Sequence, residues 1–145
     1  MKISTKGRYA LRLMLDLAIY NTGEPTSLKD ISLRQDVSEK YLEQIISILN
    51  RAGLVRSVRG SKGGYTLKLK PKEITVGMIL RATEGDLAPV SCAGEELSSD
   101  CARIDQCVTI RVYKKISDAV NDVVDGITLQ DMVEWQEEQV GTYTI

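Results

Sequence analysis

Three cysteines, Cys92, Cys101 and Cys107, fall within 16 residues in a C-x8-C-x5-C spacing. Thiolates ligate zinc and iron–sulfur clusters, and they act as nucleophiles where their pKa is depressed. The segment that carries them is acidic: between residues 84 and 107, Glu84, Asp86, Glu95, Glu96, Asp100 and Asp105 stand against Arg103 alone. Neighbouring carboxylates should raise the thiol pKa values, which disfavours activated free thiols. A bound cationic centre would neutralise the thiolates and reorder the segment. An odd number of cysteines does not pair fully as disulfides within one chain. The residues themselves leave a metal centre, a redox pair and incidental thiols open, and three thiolates leave a zinc or iron–sulfur site one ligand short. The chain has no His, which excludes Ser-His-Asp and Cys-His catalysis.

A second constellation is basic. Residues 1–72 hold 14 Lys plus Arg against 6 Asp plus Glu, a net of +8; residues 73–145 hold 5 against 14, a net of −9, which together give the chain's −1. A basic half points to a polyanion partner, and the acidic half would turn the basic one toward it. Lys2, Lys6, Arg8 and Arg12, at the start of the first helix, are candidates to neutralise phosphates. Lys40, Glu43, Gln44, Ser47, Asn50 and Arg51 share the polar face of a third helix. There Gln suits adenine and Glu accepts from cytosine N4 in a major groove. Arg56, Arg59, Lys62 and Lys68 load the segment that follows, and Arg59 beside Gly60 is the candidate to enter a minor groove. The predicted DNA-binding set is Lys2, Lys6, Arg8, Lys40, Glu43, Gln44, Ser47, Arg51, Arg59 and Lys62.

These side chains need elements to hold them. Leu11, Met14, Leu15 and Ala18 recur at three- and four-residue spacing, which predicts a helix over 5–21 ended by Gly23 and Pro25. Ser27 caps a short second helix. Ser38 caps the third, with Val37 placed to staple onto Leu42 and a buried face of Leu42, Ile45, Ile46 and Leu49. This is a helix-turn-helix. Residues 54–59 and 65–69 are β-forming runs around the turn Gly60-Ser61-Lys62-Gly63-Gly64, hence a hairpin, and a basic hairpin in this place is a wing. Thr75 caps a fourth helix, with Ile74 placed to staple onto Ile79. Residues 85–103 show no periodicity. A long helix is predicted over 104–125, with the stripe Val108, Val112, Ile116, Ala119, Val120, Val123 and Val124, spanning roughly 33 Å. Gly126 ends it and Thr128 caps a short last helix around Leu129, Met132, Val133 and Trp135. Little local core is left to cover the long stripe, so it is expected to pair with its twin. A homodimer would set two recognition helices about one DNA turn apart on a palindromic site.

The fold class is therefore mainly α with a small β-hairpin: a winged helix-turn-helix head over 1–72, then a cysteine-bearing loop and dimerisation helices over 73–145, in one compact chain. At 145 residues, with 43% apolar residues, the chain buries roughly two-thirds of its unfolded surface. With no Phe and one Trp the core must be aliphatic. The longest apolar run, Leu17 to Tyr20, is far short of the roughly 20 residues of a membrane span. No signal peptide is recognisable, so a cytoplasmic location is expected.

The runs Met1-Lys2-Ile3-Ser4-Thr5-Lys6-Gly7-Arg8-Tyr9-Ala10, Tyr41-Leu42-Glu43-Gln44, Gly53-Leu54-Val55, Ser57-Val58-Arg59-Gly60, Gly63-Gly64-Tyr65 and Ile127-Thr128-Leu129 resemble the IscR-type winged-helix transcription regulators over nearly the whole chain. The resemblance implies a homodimer that binds palindromic promoter DNA, with recognition contacts near Lys40, Glu43 and Gln44 and from Arg59. It also implies a 2Fe-2S cluster on Cys92, Cys101 and Cys107 that reports iron–sulfur status, and a repressor rather than an enzyme. Two departures stand out. The first cysteine interval is three residues longer than in IscR, and the His of the family's C-x-x-H is Ile110 here. Arg8 stands where some relatives carry a carboxylate ligand, so no fourth ligand is identified. The head, including Pro25-Thr26-Ser27-Leu28-Lys29, also resembles CymR, a cysteine-metabolism repressor of the same family that acts with cysteine synthase and needs no cluster. A rival of another class is a small iron–sulfur redox protein, which has no need of a wing.

Overall fold

The computed structural model describes residues 2–94 and 101–142. Its elements are helices α1 (Thr5–Ile19), α2 (Leu28–Gln35) and α3 (Glu39–Arg51), strands β1 (Val55–Val58) and β2 (Gly64–Leu67), and helices α4 (Val76–Glu84), α5 (Thr109–Gly126) and α6 (Leu129–Thr142). Single 3-10 turns occur at Pro71–Glu73, Ser91–Ala93 and Ile104–Gln106. It is mostly helical with one two-stranded sheet, as the sequence predicts.

Side-chain caps set the helix starts. Ser27 accepts from the Asp30 amide and Ser38 from the Tyr41 amide, each at 3.2 Å, and Thr75 accepts from the Met78 amide at 3.1 Å. Asp36 closes α2 in the left-handed conformation at φ +53°, and the chain re-enters a helix three residues later. β1 and β2 pair antiparallel with Val55 opposite Leu67 and Val58 opposite Gly64. Thr26 and Tyr65 exchange backbone hydrogen bonds of 2.9 and 2.8 Å, which ties the wing to the entry of α2. Gly64 is needed there, because a Cβ would run into the Thr26 carbonyl.

The main core joins Ala10, Leu13, Met14 and Leu17 of α1 to Ile31, to Leu42, Ile45, Ile46 and Leu49 of α3, and to Leu54, Ile74, Ile79 and Leu129. Val37 packs against it, half-buried. A second cluster of Val76, Leu80, Leu87 and Val124 joins α4 to α5. The Leu129 amide donates to the Ile74 carbonyl at 2.8 Å and the Val76 amide to the Ile127 carbonyl at 2.9 Å, which pins the start of α6 to the start of α4.

Three details differ from the sequence reading. Leu11 and Leu15 are only half-buried, while Ala10, Leu13 and Leu17 go inside, because α1 is the central helix and packs on α3, α4, α6 and β2 at once. Asp16, on that same helix, is 1% exposed. The long helix starts at Thr109 rather than Ile104. Cys107 takes an extended backbone (φ −86°, ψ 103°) after the 3-10 turn, which breaks the helical path that apolar periodicity cannot see. Its 18 residues then span about 27 Å. The last helix is longer than expected, at 14 residues, with Thr128 capping it by accepting from the Asp131 amide at 3.1 Å. Among the described residues, no helix is long and apolar enough to cross a membrane.

Candidate nucleic-acid interface and cysteine segment

α3 is strongly two-sided. Leu42, Ile45, Ile46 and Leu49 are at most 2% exposed, whereas Lys40, Glu43, Gln44, Ser47, Asn50 and Arg51 are all exposed. Arg51 folds back along its own helix, its guanidinium 3.4 Å from the Ser47 carbonyl and 3.5 Å from the Ser47 hydroxyl. That leaves Lys40, Glu43 and Gln44 as one exposed polar group on the first two turns. Arg59 and Lys62 are exposed in the wing turn, where Gly63 lets the backbone close: a Cβ there would strike the Val58 carbonyl. Lys2 and Arg8 are exposed and Lys6 is half-buried; Arg8 donates to the Thr5 hydroxyl at 3.1 Å.

Arg12 differs from the other basic residues of α1. Its guanidinium donates to the Gln35 side chain at 3.1 Å and to the Gln35 carbonyl at 2.6 Å, over the ring of Tyr9. Two of its nitrogens are thus engaged within the fold, while the side chain remains exposed. Charge alone gave no sign of this.

Two further polar contacts were not read from the sequence. Asp16 holds Arg34 through two hydrogen bonds of 3.0 and 2.7 Å and accepts a third from Gln35 at 2.9 Å. Glu84, the last residue of α4, receives the Ser4 amide at 3.0 Å and also the Ser4 hydroxyl. It supplies the negative charge that the first turn of α1 lacks. Gly7 has no side chain for the same reason: a Cβ would collide with the Glu84 carboxylate. Glu84 leads directly into the cysteine segment.

Cys92 and Cys107 are half-buried and Cys101 is exposed; all three are free thiols. Glu95, Glu96 and Asp100 lie outside the described residues. The expectation of raised thiol pKa values fails at Cys107. The Thr109 hydroxyl, 3.1 Å from Sγ, and the backbone N–H of Ile110 hold this thiol below its ordinary value. Hydrogen bonds at the start of α5 outweigh the effect of burial there. In donor chemistry, three thiolates in a chain without His suit an iron–sulfur centre. In placement they do not: among the described residues, no three Cys, Asp or Glu side chains gather closely enough to hold a metal ion.

A run of exposed apolar side chains lies on and just before α5. Ser117 and Val124 face the protein's own core, while Val108, Val112, Ile116 and Val123 stay exposed, Val112 at 55% and Val123 at 60%. Ile116 and Val123, with Lys2, Ile3, Ala119, Val120 and Val124, border an open apolar cavity of about 630 Å³. On the far side of α5, Arg81 of α4 reaches Asp125 at 2.6 and 3.0 Å and Asn121 at 2.8 Å. The Arg81 guanidinium holds the Asp125 carboxyl below the usual aspartate range.

The model of the Rrf2 family, described as iron-dependent transcriptional regulators, matches residues 3–135. The chain belongs to the Rrf2 family. Rrf2 regulators of two names are equally similar to it. The IscR transcriptional regulator of Aliivibrio salmonicida is 43% identical over 141 residues, covering 97% of this chain and 82% of that protein. The CymR transcriptional regulator of Bacillus subtilis is 43% identical over 143 residues, covering 99% of this chain and 97% of that protein. In three dimensions, IscR of T. potens superposes with a TM-score of 0.78 at 43% identity over 96% of this chain and 90% of its own. CymR of B. subtilis, named the global cysteine regulator, gives 0.74 at 44% over 93% and 98%. The winged-helix fold, the regulator class and the absence of an enzymatic role expected from the sequence therefore stand. As a member of this family the chain is a DNA-binding transcription regulator.

Proposed function

We propose that this Rrf2 regulator is a cytoplasmic homodimeric repressor that reads a palindromic duplex through α3 and the wing. Residues 1–72 serve as the DNA-binding head and residues 73–145 as the regulatory and dimerisation half. The observation that carries the reading is α3 itself: an anchored apolar face opposite exposed Lys40, Glu43, Gln44, Ser47 and Arg51. Lys2, Lys6, Arg8, Arg59 and Lys62 contribute phosphate and groove contacts beside it.

The open face of α5 supports self-association. At 100° per residue, Arg111, Lys115, Asp118 and Asp122 lie along one flank of that face, basic in the first half and acidic in the second. Antiparallel pairing about a two-fold axis between Ile116 and Ala119 sets Arg111 against Asp122 of the partner subunit and Lys115 against Asp118 of the partner subunit.

For the regulatory half, the proposal is a 2Fe-2S cluster on Cys92, Cys101 and Cys107 with a fourth, non-His ligand. When bound, such a cluster supplies a redox-active centre whose presence reports iron–sulfur status. The donor set supports it, and loading requires Cys92, Cys101 and Cys107 to come together. A second reading is a CymR-like control of cysteine metabolism through a partner enzyme such as cysteine synthase. It is favoured by the separated thiols and by a likeness to CymR that extends over 97% of that protein. Anaerobic purification decides between them. Iron and sulfide at equal stoichiometry, with a visible chromophore lost in Cys92→Ala, Cys101→Ala and Cys107→Ala, is the expected result. Zinc without sulfide would make the site structural. Metal-free protein that still controls its operator, and does so only with an added enzyme partner, would give the second reading.

A further inference from the structure

Arg12 sits where three elements cross. Its Nε donates to the side-chain oxygen of Gln35 and a terminal nitrogen to the Gln35 carbonyl, and its guanidinium carbon lies 4.9 Å from the centre of the Tyr9 ring. Gln35 is the last residue of α2, so that carbonyl is one of the acceptors a helix end leaves open, and a cation there also favours the negative end of the helix dipole. The next residue, Asp36, makes the left-handed bend that leads to the Ser38 cap of α3. Tyr9 in turn meets Tyr41 edge-on, with ring centres 5.7 Å apart and planes at 90°. Tyr41 is in the first turn of α3, between Lys40 and Glu43. Arg12 thus grips the entry of the helix-turn-helix bend through Gln35 and its exit through Tyr9 and Tyr41. Asp16 holds Gln35 from the other side at 2.9 Å.

We propose that Arg12 is a positioning residue that sets the pose of α3 and hence the discrimination between operator and other DNA, rather than a phosphate ligand. The inference rests on the reading of α3 as the helix that enters the groove. The guanidinium suits the task for a physical reason. Its planar fork makes two directed hydrogen bonds while its face stacks on an aromatic ring, and a lysine ammonium of equal charge, a point charge without that fork, does not do both at once. Base readout depends on tenths of an ångström, whereas phosphate contacts tolerate a small tilt. A loosened α3 therefore loses specific binding and keeps non-specific binding.

The test uses full-length protein and two duplexes: one enriched by the wild type from a random-sequence library, and a scramble of the same length and composition. Dissociation constants for both are measured over a salt series. Arg12→Lys and Tyr41→Leu are each expected to lower the ratio of specific to scrambled affinity by roughly tenfold. The scrambled affinity and the salt slope stay as in the wild type. Tyr41→Phe, which keeps the ring, retains the ratio. The double variant Arg12→Lys/Tyr41→Leu loses no more than either single variant, because both cut one relay. An equal loss on both duplexes, with a salt slope shallower by about one in the charge-removing variant Arg12→Gln, would make Arg12 a phosphate contact and overturn the proposal. So would an unchanged ratio in Arg12→Lys, or a ratio that falls only where circular dichroism shows helix lost. If the wild type enriches no sequence, no discrimination exists to be positioned, and the DNA-reading proposal fails together with this one.

Discussion

Asp16→Ala is the sharpest test of how the head is held together. The Asp16 side chain is wholly inaccessible and accepts three hydrogen bonds, two from Arg34 and one from Gln35, at 2.7 to 3.0 Å. Its hydrogen bond to Arg34 raises the guanidinium above an already high ordinary pKa, so Arg34 stays charged at any working pH. Removing the acceptor leaves the Arg34 guanidinium and the Gln35 amide without their shared partner. Breaking a buried ion pair on one side costs about 3–5 kcal/mol. The Arg34 side chain is 29% exposed and lies over the Tyr20 ring at 3.9 Å, so it can turn toward water and the lower figure applies, about 3 kcal/mol. For a chain of this size that lowers the thermal midpoint by roughly 6–12 °C. Asp16→Asn keeps the shape and one acceptor and should lose about half as much. The assay is urea unfolding at one protein concentration, since self-association shifts the apparent stability. Asp16→Leu combined with Arg34→Met should recover most of the loss, because neither charge is then stranded. A loss below about 1 kcal/mol in Asp16→Ala, with an unchanged urea slope, would refute the reasoning.

Three other outcomes follow from the geometry. Lys115→Glu should shift sedimentation toward monomer, and adding Asp118→Lys should restore the dimer; the effect is modest, about 0.2–1 kcal/mol for each exposed pair. Glu43→Ala should change which duplexes are enriched more than it changes total affinity, whereas Arg59→Ala should weaken binding to every duplex; normal operator binding in both variants would misplace the reading surface. The Asp125 carboxyl is depressed in the folded protein, so the stability it contributes is present above its ordinary value of about 3.9 and is lost as pH falls through the folded value. Asp125→Asn should therefore unfold earlier than the wild type at pH 6, with the difference narrowing as the medium becomes more acidic, as read from urea midpoints.

Local signals carried most of the fold. Ser27, Ser38, Thr75 and Thr128 cap helices within three residues of themselves, and the turn glycines around Lys62 close a hairpin of adjacent strands. Such features depend on near neighbours, so they can be read without the rest of the chain. The polar face of α3 was legible for the same reason, since periodicity assigns its opposite face to the core. What the sequence could not decide were contacts between distant residues. Asp16 looks like a solvated carboxylate until α2 brings Arg34 and Gln35 to it. Glu84 becomes the partner of Ser4 only when α4 packs on α1, 80 positions away. The cysteine spacing named possible ligands, but convergence of thiols is a property of the path of the chain. Arg12 and Arg8 carry equal charge a helical turn apart, yet only Arg12 lies against Gln35. Charge is written in the sequence; the partner that uses it is set by which helices meet.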